Sequence, residues 1–198
     1  MAKLRLKHAI NFPKEGFTLI ELLTVLTIIG ILSVLAVSNY HAGNRQVVLD
    51  LAANQFAQDL RRAQGWALAA HQINGVAYPG YGIYAVKNSS SYLIFLDNGN
   101  NGGTVLPGNG KYDSLLDKVE ETINLDPDLT ISSVSCVTAG VPGACTNNAA
   151  SVDYMVPDPL TRINGGDSVT EQDVTLQSKT TSLTRKVVAD KAGLVYVQ

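Results

Sequence analysis

Glu21 is the only ionisable side chain in an apolar run from Phe17 to Val37. An ionised carboxylate placed in hydrocarbon costs at least ~2.5 to 3.5 kcal/mol. It therefore needs a proton, a positively charged partner, or a place near the end of the run from which it reaches water. A second grouping with chemical content is Asp97-Asn98-Gly99-Asn100-Asn101-Gly102. Asp at the first position, Asn at the fifth and Gly at the sixth match the opening of a calcium loop, where oxygen ligands alternate and glycine permits the sharp turn. The match then stops: Gly99 stands third and Gly108 twelfth, where a side-chain oxygen and a bidentate acid belong. A calcium set drawn from Asp97, Asn101 and Asp113 needs the following segment to return, with Asn109 and Asp117 as further oxygen donors. The bland reading is a long Asn/Gly turn with no cofactor, and calcium is the alternative to it.

Cys136 and Cys145 enclose Val-Thr-Ala-Gly-Val-Pro-Gly-Ala, a loop able to bring the two sulfurs together. In an exported domain this spacing reads as a disulfide, with loop closure contributing ~2 to 3 kcal/mol. Two thiols alone make a poor metal site. The three histidines, His8, His41 and His71, are far apart in sequence and none stands at helical ligand spacing from another. No nucleophile elbow or phosphate loop is present, so the sequence gives no support to an enzyme. Arg61 and Arg62 read as the solvated face of a helix rather than as a cofactor or nucleic-acid site.

These residues need elements to hold them. The run Phe17–Val37 has 21 residues, and at ~1.5 Å each a helix over it spans ~31 Å, close to the ~30 Å hydrocarbon thickness of a bilayer. Lys3, Arg5, Lys7 and Lys14 precede it and, by the positive-inside tendency, hold that end in the cytoplasm. The remainder is then outside. No clean small-residue cleavage pattern follows the run; the conspicuous boundary is Gly16 before Phe17. Beyond it, Val48, Ala52, Phe56, Leu60, Ala63, Ala67 and Ala70 recur every three or four residues, predicting an amphipathic helix with Asp50, Gln58, Asp59, Arg61 and Arg62 on its other faces. From Asn74 the pattern turns to β. Segments 80–87, 91–97, 129–136, 151–156, 173–178, 184–190 and 194–198 are predicted strands, with tight turns at 88–90 and 191–193. The fold class is α+β: a long amino-terminal helix, membrane-spanning in its first half and amphipathic in its second, packed on an antiparallel β-sheet domain. The division is 1–16 leader, 17–42 transmembrane helix and 43–198 exported domain. The whole chain carries −2; removing the leader leaves 11 basic and 16 acidic side chains, or −5, which gives nucleic acid little general attraction.

Lys14-Glu15-Gly16 followed by Phe17-Thr18-Leu19-Ile20-Glu21 and the apolar run resembles the class III signal of type IV prepilins and pseudopilins. The resemblance implies cleavage after Gly16 by a prepilin peptidase and methylation of the new amino terminus at Phe17. It also implies that Glu21, fifth in the mature chain, pairs with the terminal amine of a neighbouring subunit during assembly. The chain would be a single-pass protein of the cytoplasmic (inner) membrane before it joins a filament, with pilin or pseudopilin subunits, the inner-membrane assembly platform and the lipid bilayer as partners. The segments Asp59–Ala70, Tyr81–Tyr84, Tyr92–Gly102 and Thr184–Val197 resemble the GspH/FimT group of H-type pseudopilins and FimT-like minor pilins. That implies a structural subunit of a type IV pilus or a type II secretion pseudopilus. The alternatives are a FimT-like DNA-binding minor pilin, for which Arg185, Lys186 and Lys191 are the nearby cations, or a major pilin. Ser38 occupies a place where many pilins carry a helix-bending proline, so no kink is carried over.

Overall fold

A computed structural model describes residues 16–99, 108–156, 160–166 and 168–198, with the side chains of 35–43 outside that description. The leader, 1–15, and Asn101 therefore lie outside the described residues. Two compact units are present, Met1–His41 and Ala42–Gln198, and both contribute to one helix, α1 (Leu19–Leu68). In the first unit the described apolar side chains from Phe17 to Val34 are exposed.

In the second unit α1 is followed by a small hairpin, β1 (Gln72–Ile73) with β2 (Val76–Ala77). Two five-stranded antiparallel sheets then form. One contains β3 (Gly80–Val86), β4 (Ser91–Asp97), β5 (Lys118–Asn124), β8 (Ala149–Met155) and β9 (Thr161–Ile163), in the order β5-β4-β3-β8-β9. The other contains β6 (Leu129–Thr138), β7 (Val141–Ala144), β10 (Val169–Ser178), β11 (Thr184–Asp190) and β12 (Val195–Val197), in the order β12-β11-β10-β6-β7. The α+β class expected from the sequence is the one observed, with the β part divided between two sheets.

The core lies where both sheets meet the carboxyl-terminal half of α1. Leu49, Ala53, Phe56, Ala57, Leu60, Ala63 and Ala67 are buried against Tyr81, Ile83, Tyr92, Ile94 and Leu96 of one sheet and Ile131, Leu176, Val187 and Val195 of the other. Alanines at every second contact let the helix approach closely, while Phe56 meets Tyr92 edge-on at 4.7 Å. The buried stripe differs in phase from the predicted one at both ends. Val48 and Ala52 are only half-buried, and Ala70 is exposed beyond the helix end in a left-handed conformation (φ 42°). Asp59, expected on a solvated face, is buried and accepts a hydrogen bond from the Tyr92 hydroxyl at 2.6 Å. Arg62 is exposed, as expected of a solvated face, and there it pairs with Asp59 at 3.5 Å and with Glu121 of β5, its guanidinium lying over the Trp66 ring at 4.8 Å.

The first sheet is covered on both sides. Tyr81, Ile83, Tyr92, Ile94, Val152 and Tyr154 face α1, whereas Gly80, Gly82, Tyr84, Phe95, Asp97, Ser151 and Asp153 alternate with them on the opposite face. Residues 108–117 cross that outer face as a strap, and Tyr112 sits against Tyr84 and Phe95 with ring centroids 4.6 and 5.4 Å apart. Burial on both faces explains why every residue of β8 is buried. Gly82 is required by this packing, because a Cβ there would lie 2.5 Å from both Phe95 Cζ and the Val152 carbonyl oxygen.

The Asp59–Tyr92 bond generates a stability test. Tyr92→Phe removes the donor while leaving Asp59 buried, at a cost of ~1 to 3 kcal/mol. Denaturant unfolding of the full chain in detergent should show the midpoint falling, with little change in the slope.

Candidate functional site

At the amino-terminal end, α1 begins immediately after Thr18, and the Glu21 N–H donates to Thr18 Oγ1 at 3.3 Å. Thr18-Leu19-Ile20-Glu21 has capping-box spacing, Thr-x-x-Glu. Glu21 also stands in the first turn, where the helix dipole favours a negative charge. Thr24, Thr27 and Ser33 turn their hydroxyls back to the carbonyls of Glu21, Leu23 and Ile29, so the run's remaining polar side chains in that stretch are satisfied within the helix. Around them Leu19, Ile20, Leu22, Leu23, Leu26, Ile28 and Ile29 are all more than half exposed. A continuous apolar surface of this kind calls for a non-aqueous neighbour. Among the described residues no helix is long and apolar enough to cross a membrane; with the side chains of 35–43 outside them, the run Phe17–Val37 is followed only to Val34.

In the β domain, Asp97 closes β4 and is buried beneath the strap. Its Oδ1 accepts the Gly99 N–H at 3.1 Å and its Oδ2 the Gly110 N–H at 2.9 Å. Asp113 is engaged elsewhere, accepting from Asn109 Nδ2 at 2.5 Å and lying 3.8 Å from Lys111 Nζ. Asp117 accepts the N–H groups of Asn98 and Asp113 at 3.1 and 2.6 Å. The proposed returning segment thus does come back over Asp97. Among the described residues, however, no three acidic, histidine or cysteine side chains gather closely enough to hold a metal.

Asp153, which the sequence reading missed, lies on this same face and is completely buried with neither carboxylate oxygen hydrogen-bonded. Burial first, and then the charges of Asp97 and Asp117, push its carboxyl well above the ordinary range; Arg162 and the nearby Tyr154 backbone N–H oppose the shift. Burial likewise raises Asp97 and Asp117, against the pull of the N–H groups they accept. The available sequence signal was a lone acid inside the otherwise apolar and small β8 segment Ala-Ala-Ser-Val-Asp-Tyr-Met. Beside this face a cleft of about 300 Å³ is lined by Tyr84, Lys111, Tyr112, Asn147, Ser151 and Asn164.

Residues 12–37 match the family model for the prokaryotic N-terminal methylation motif, a span that includes Gly16, Phe17 and Glu21. Over those residues the chain carries the prokaryotic N-terminal methylation motif. Among solved structures it is similar to the minor pseudopilin EpsH from the type 2 secretion system of Vibrio cholerae, at 14% identity over 76% of this chain and 95% of that chain, with a TM-score of 0.37. No curated protein matches.

In the β domain Cys136 and Cys145 are joined by a disulfide, and Asn164 Nδ2 donates to the Cys136 sulfur at 3.0 Å. The bond ties β6 to the segment after β7 and anchors the turn that carries Asn147 toward the cleft. Two of the cations considered for nucleic acid are paired: Arg185 Nε lies 2.5 Å from Asp50, and Lys186 Nζ 3.2 Å from Asp173. Arg61 donates to the Val195 carbonyl at 2.7 Å. The tip of the closing hairpin is held against the helix, since Gln64 donates to the Gly193 carbonyl at 3.3 Å. Gly193 has φ 84°, and a Cβ there would stand 2.6 Å from Gln64 Nε2.

Replacing both cysteines, Cys136→Ser with Cys145→Ser, should lower stability by ~2 to 3 kcal/mol through the entropy of the opened loop. Unfolding of the oxidised wild type and the double variant, compared in the same denaturant series, measures it. Nonreducing peptide mass analysis of the wild type should recover the two cysteines as one linked pair.

Proposed function

We propose that this chain is a minor structural subunit, a pseudopilin or minor pilin, which a prepilin peptidase cuts after Gly16 and methylates at Phe17. It would reside as a single-pass protein in the cytoplasmic membrane until an assembly platform passes it to a filament of related subunits. The observation that carries the reading is the N-terminal methylation motif over residues 12–37, with a single acid, Glu21, in the first turn of a helix whose apolar side chains are exposed. Glu21 would meet the amine of a neighbouring Phe17, exchanging the expense of a charge in hydrocarbon for an ion pair. Its place in the capping box is compatible with that role, because the bond to Thr18 uses the Glu21 backbone N–H and leaves the carboxylate available.

The finer placement, in the GspH/FimT group, rests on this chain's own segments: Gly80–Val86 with Ser91–Asp97, and the closing strands Thr184–Asp190 and Val195–Val197. The ion pairs at Arg185 and Lys186 favour a structural role over capture of nucleic acid, since phosphate would first have to displace Asp50 and Asp173.

Two outcomes test this reading. Intact mass of the protein produced with its peptidase should correspond to a chain beginning at Phe17 and carrying one added methyl group; an uncut Gly16–Phe17 bond in those cells would refute the processing. Glu21→Ala should remain membrane-associated, cleaved and folded, while its recovery in sheared filaments falls at least tenfold at matched expression. Undiminished incorporation of that variant would sink the amine-pairing role and leave the processing assignment standing.

A further inference from the structure

Arg162 and Asp153 are register partners across β9 and β8, so their side chains leave the first sheet on the same side. They do not pair: among the described residues Arg162 forms no ion pair. Its guanidinium donates to the Gly108 carbonyl of the strap at 3.4 Å, and its stem lies against Gly110, where a Cβ would stand 2.5 Å from Arg162 Cδ. Asp153 is wholly buried over Gly80, with neither oxygen hydrogen-bonded. An ionised carboxylate in that position would draw a guanidinium beside it far more strongly than a carbonyl does. The bond from Arg162 to Gly108 is therefore the arrangement expected when Asp153 carries its proton.

The other charged and titratable groups on this face come from three elements. On β3, Gly80 and Gly82 put no side chain beside the carboxyl, and Tyr84 follows them on that side. β4 brings Asp97, whose two oxygens accept the N–H groups of Gly99 and Gly110. The strap brings Asp117, which accepts those of Asn98 and Asp113, together with Tyr112 and the pair Lys111 and Asp113 at 3.8 Å. Burial first, then the charges of Asp97 and Asp117, hold the Asp153 carboxyl well above the ordinary range, with Arg162 opposing them. Burial also raises the hydroxyls of Tyr112 and of Tyr154, on the sheet's other face, so both stay neutral where carboxyls titrate.

We propose that Asp153 and Arg162 form a proton-operated latch on the strap: while Asp153 keeps its proton Arg162 holds Gly108, and when the proton leaves to water Arg162 turns to its register partner and residues 108–110 let go. An open strap admits water to the carboxyl, so the closed strap binds the proton more tightly. The advantage of closure is then complete below the ordinary carboxyl range, falls by up to about tenfold per pH unit above it, and levels off once the pH passes the raised value of the closed state. Asp97 and Asp117, which burial also raises, titrate in the same sense, so a substitution must assign the effect to Asp153.

Hydrogen–deuterium exchange of the full processed chain in detergent, read by mass spectrometry from about pH 4 to about pH 9 and corrected for the intrinsic rate, tests the latch. The N–H groups of Gly110 and Tyr112, bonded to Asp97 Oδ2 and Ser151 Oγ, report the closed strap. Peptides covering 108–117 should lose protection by more than about tenfold as the pH rises, while those from β10 and β11 keep theirs. Asp153→Asn, neutral at every pH, should hold the strap at its acid-end protection throughout. Arg162→Gln should be loose already at the acid end. A strap whose protection does not change with pH in the wild type would overturn the latch, as would a wild-type profile in Asp153→Asn. Loss of protection in β10 and β11 together with the strap would also overturn it, because that is unfolding of the domain. If Asp153→Asn does not fold, Arg162→Gln decides: wild-type protection at the acid end overturns the latch.

Discussion

The bond that Tyr92 donates to Asp59 is the constraint on which the domain's arrangement turns. Without it α1 would present two sheets with an alanine-rich stripe, and such a stripe slides at little cost because its contacts are nearly interchangeable. A buried carboxylate meeting one hydroxyl at 2.6 Å has one register. Arg62 extends that register outward by joining Asp59, Glu121 and the Trp66 ring. Burial and the Asp59 hydrogen bond together push the Tyr92 hydroxyl far above its ordinary range, so it remains a donor throughout the neutral and mildly alkaline range. Phe56, packed edge-on against the same ring, supplies the apolar half of the contact.

Much of this was legible in the sequence where one face of an element is apolar and the other is not. The strands Gly80–Val86, Ser91–Asp97 and Thr184–Asp190 are rich in aromatic and β-branched residues, and the turn between the first two is marked by Asn88, which adopts φ 65°. What escaped were elements held by partners rather than by composition. Strand β5, Lys-Val-Glu-Glu-Thr-Ile-Asn, is almost wholly exposed and exists because it pairs with β4 along an edge. Strand β7, Val-Pro-Gly-Ala, reads as pure turn and is held in a ladder with β6 across the cysteine bridge. Helix phase was misjudged for the same reason: Asp59 looks solvated until Tyr92, 33 residues away, is placed beside it.

The polar site was only half legible for a related cause. Asp97 and its glycines announce a turn with oxygen donors, yet the loop pattern says nothing about the strand two places away in the sheet. Asp153 shares a face with Asp97 only because β8 pairs with β3 and β3 with β4, a relation that sequence order conceals. The amino-terminal motif is the opposite case. Its residues are contiguous, so the spacing from Gly16 to Glu21 carries its meaning without any tertiary structure.

The chain weaves between its two sheets: β3, β4 and β5 enter one, β6 and β7 the other, β8 and β9 return to the first, and β10 to β12 finish the second. α1 is bonded to both, through Asp50 to Arg185 on one side and Asp59 to Tyr92 on the other. Each sheet therefore has its own polar tie to α1, so parting either sheet from the helix breaks a specific contact as well as apolar packing.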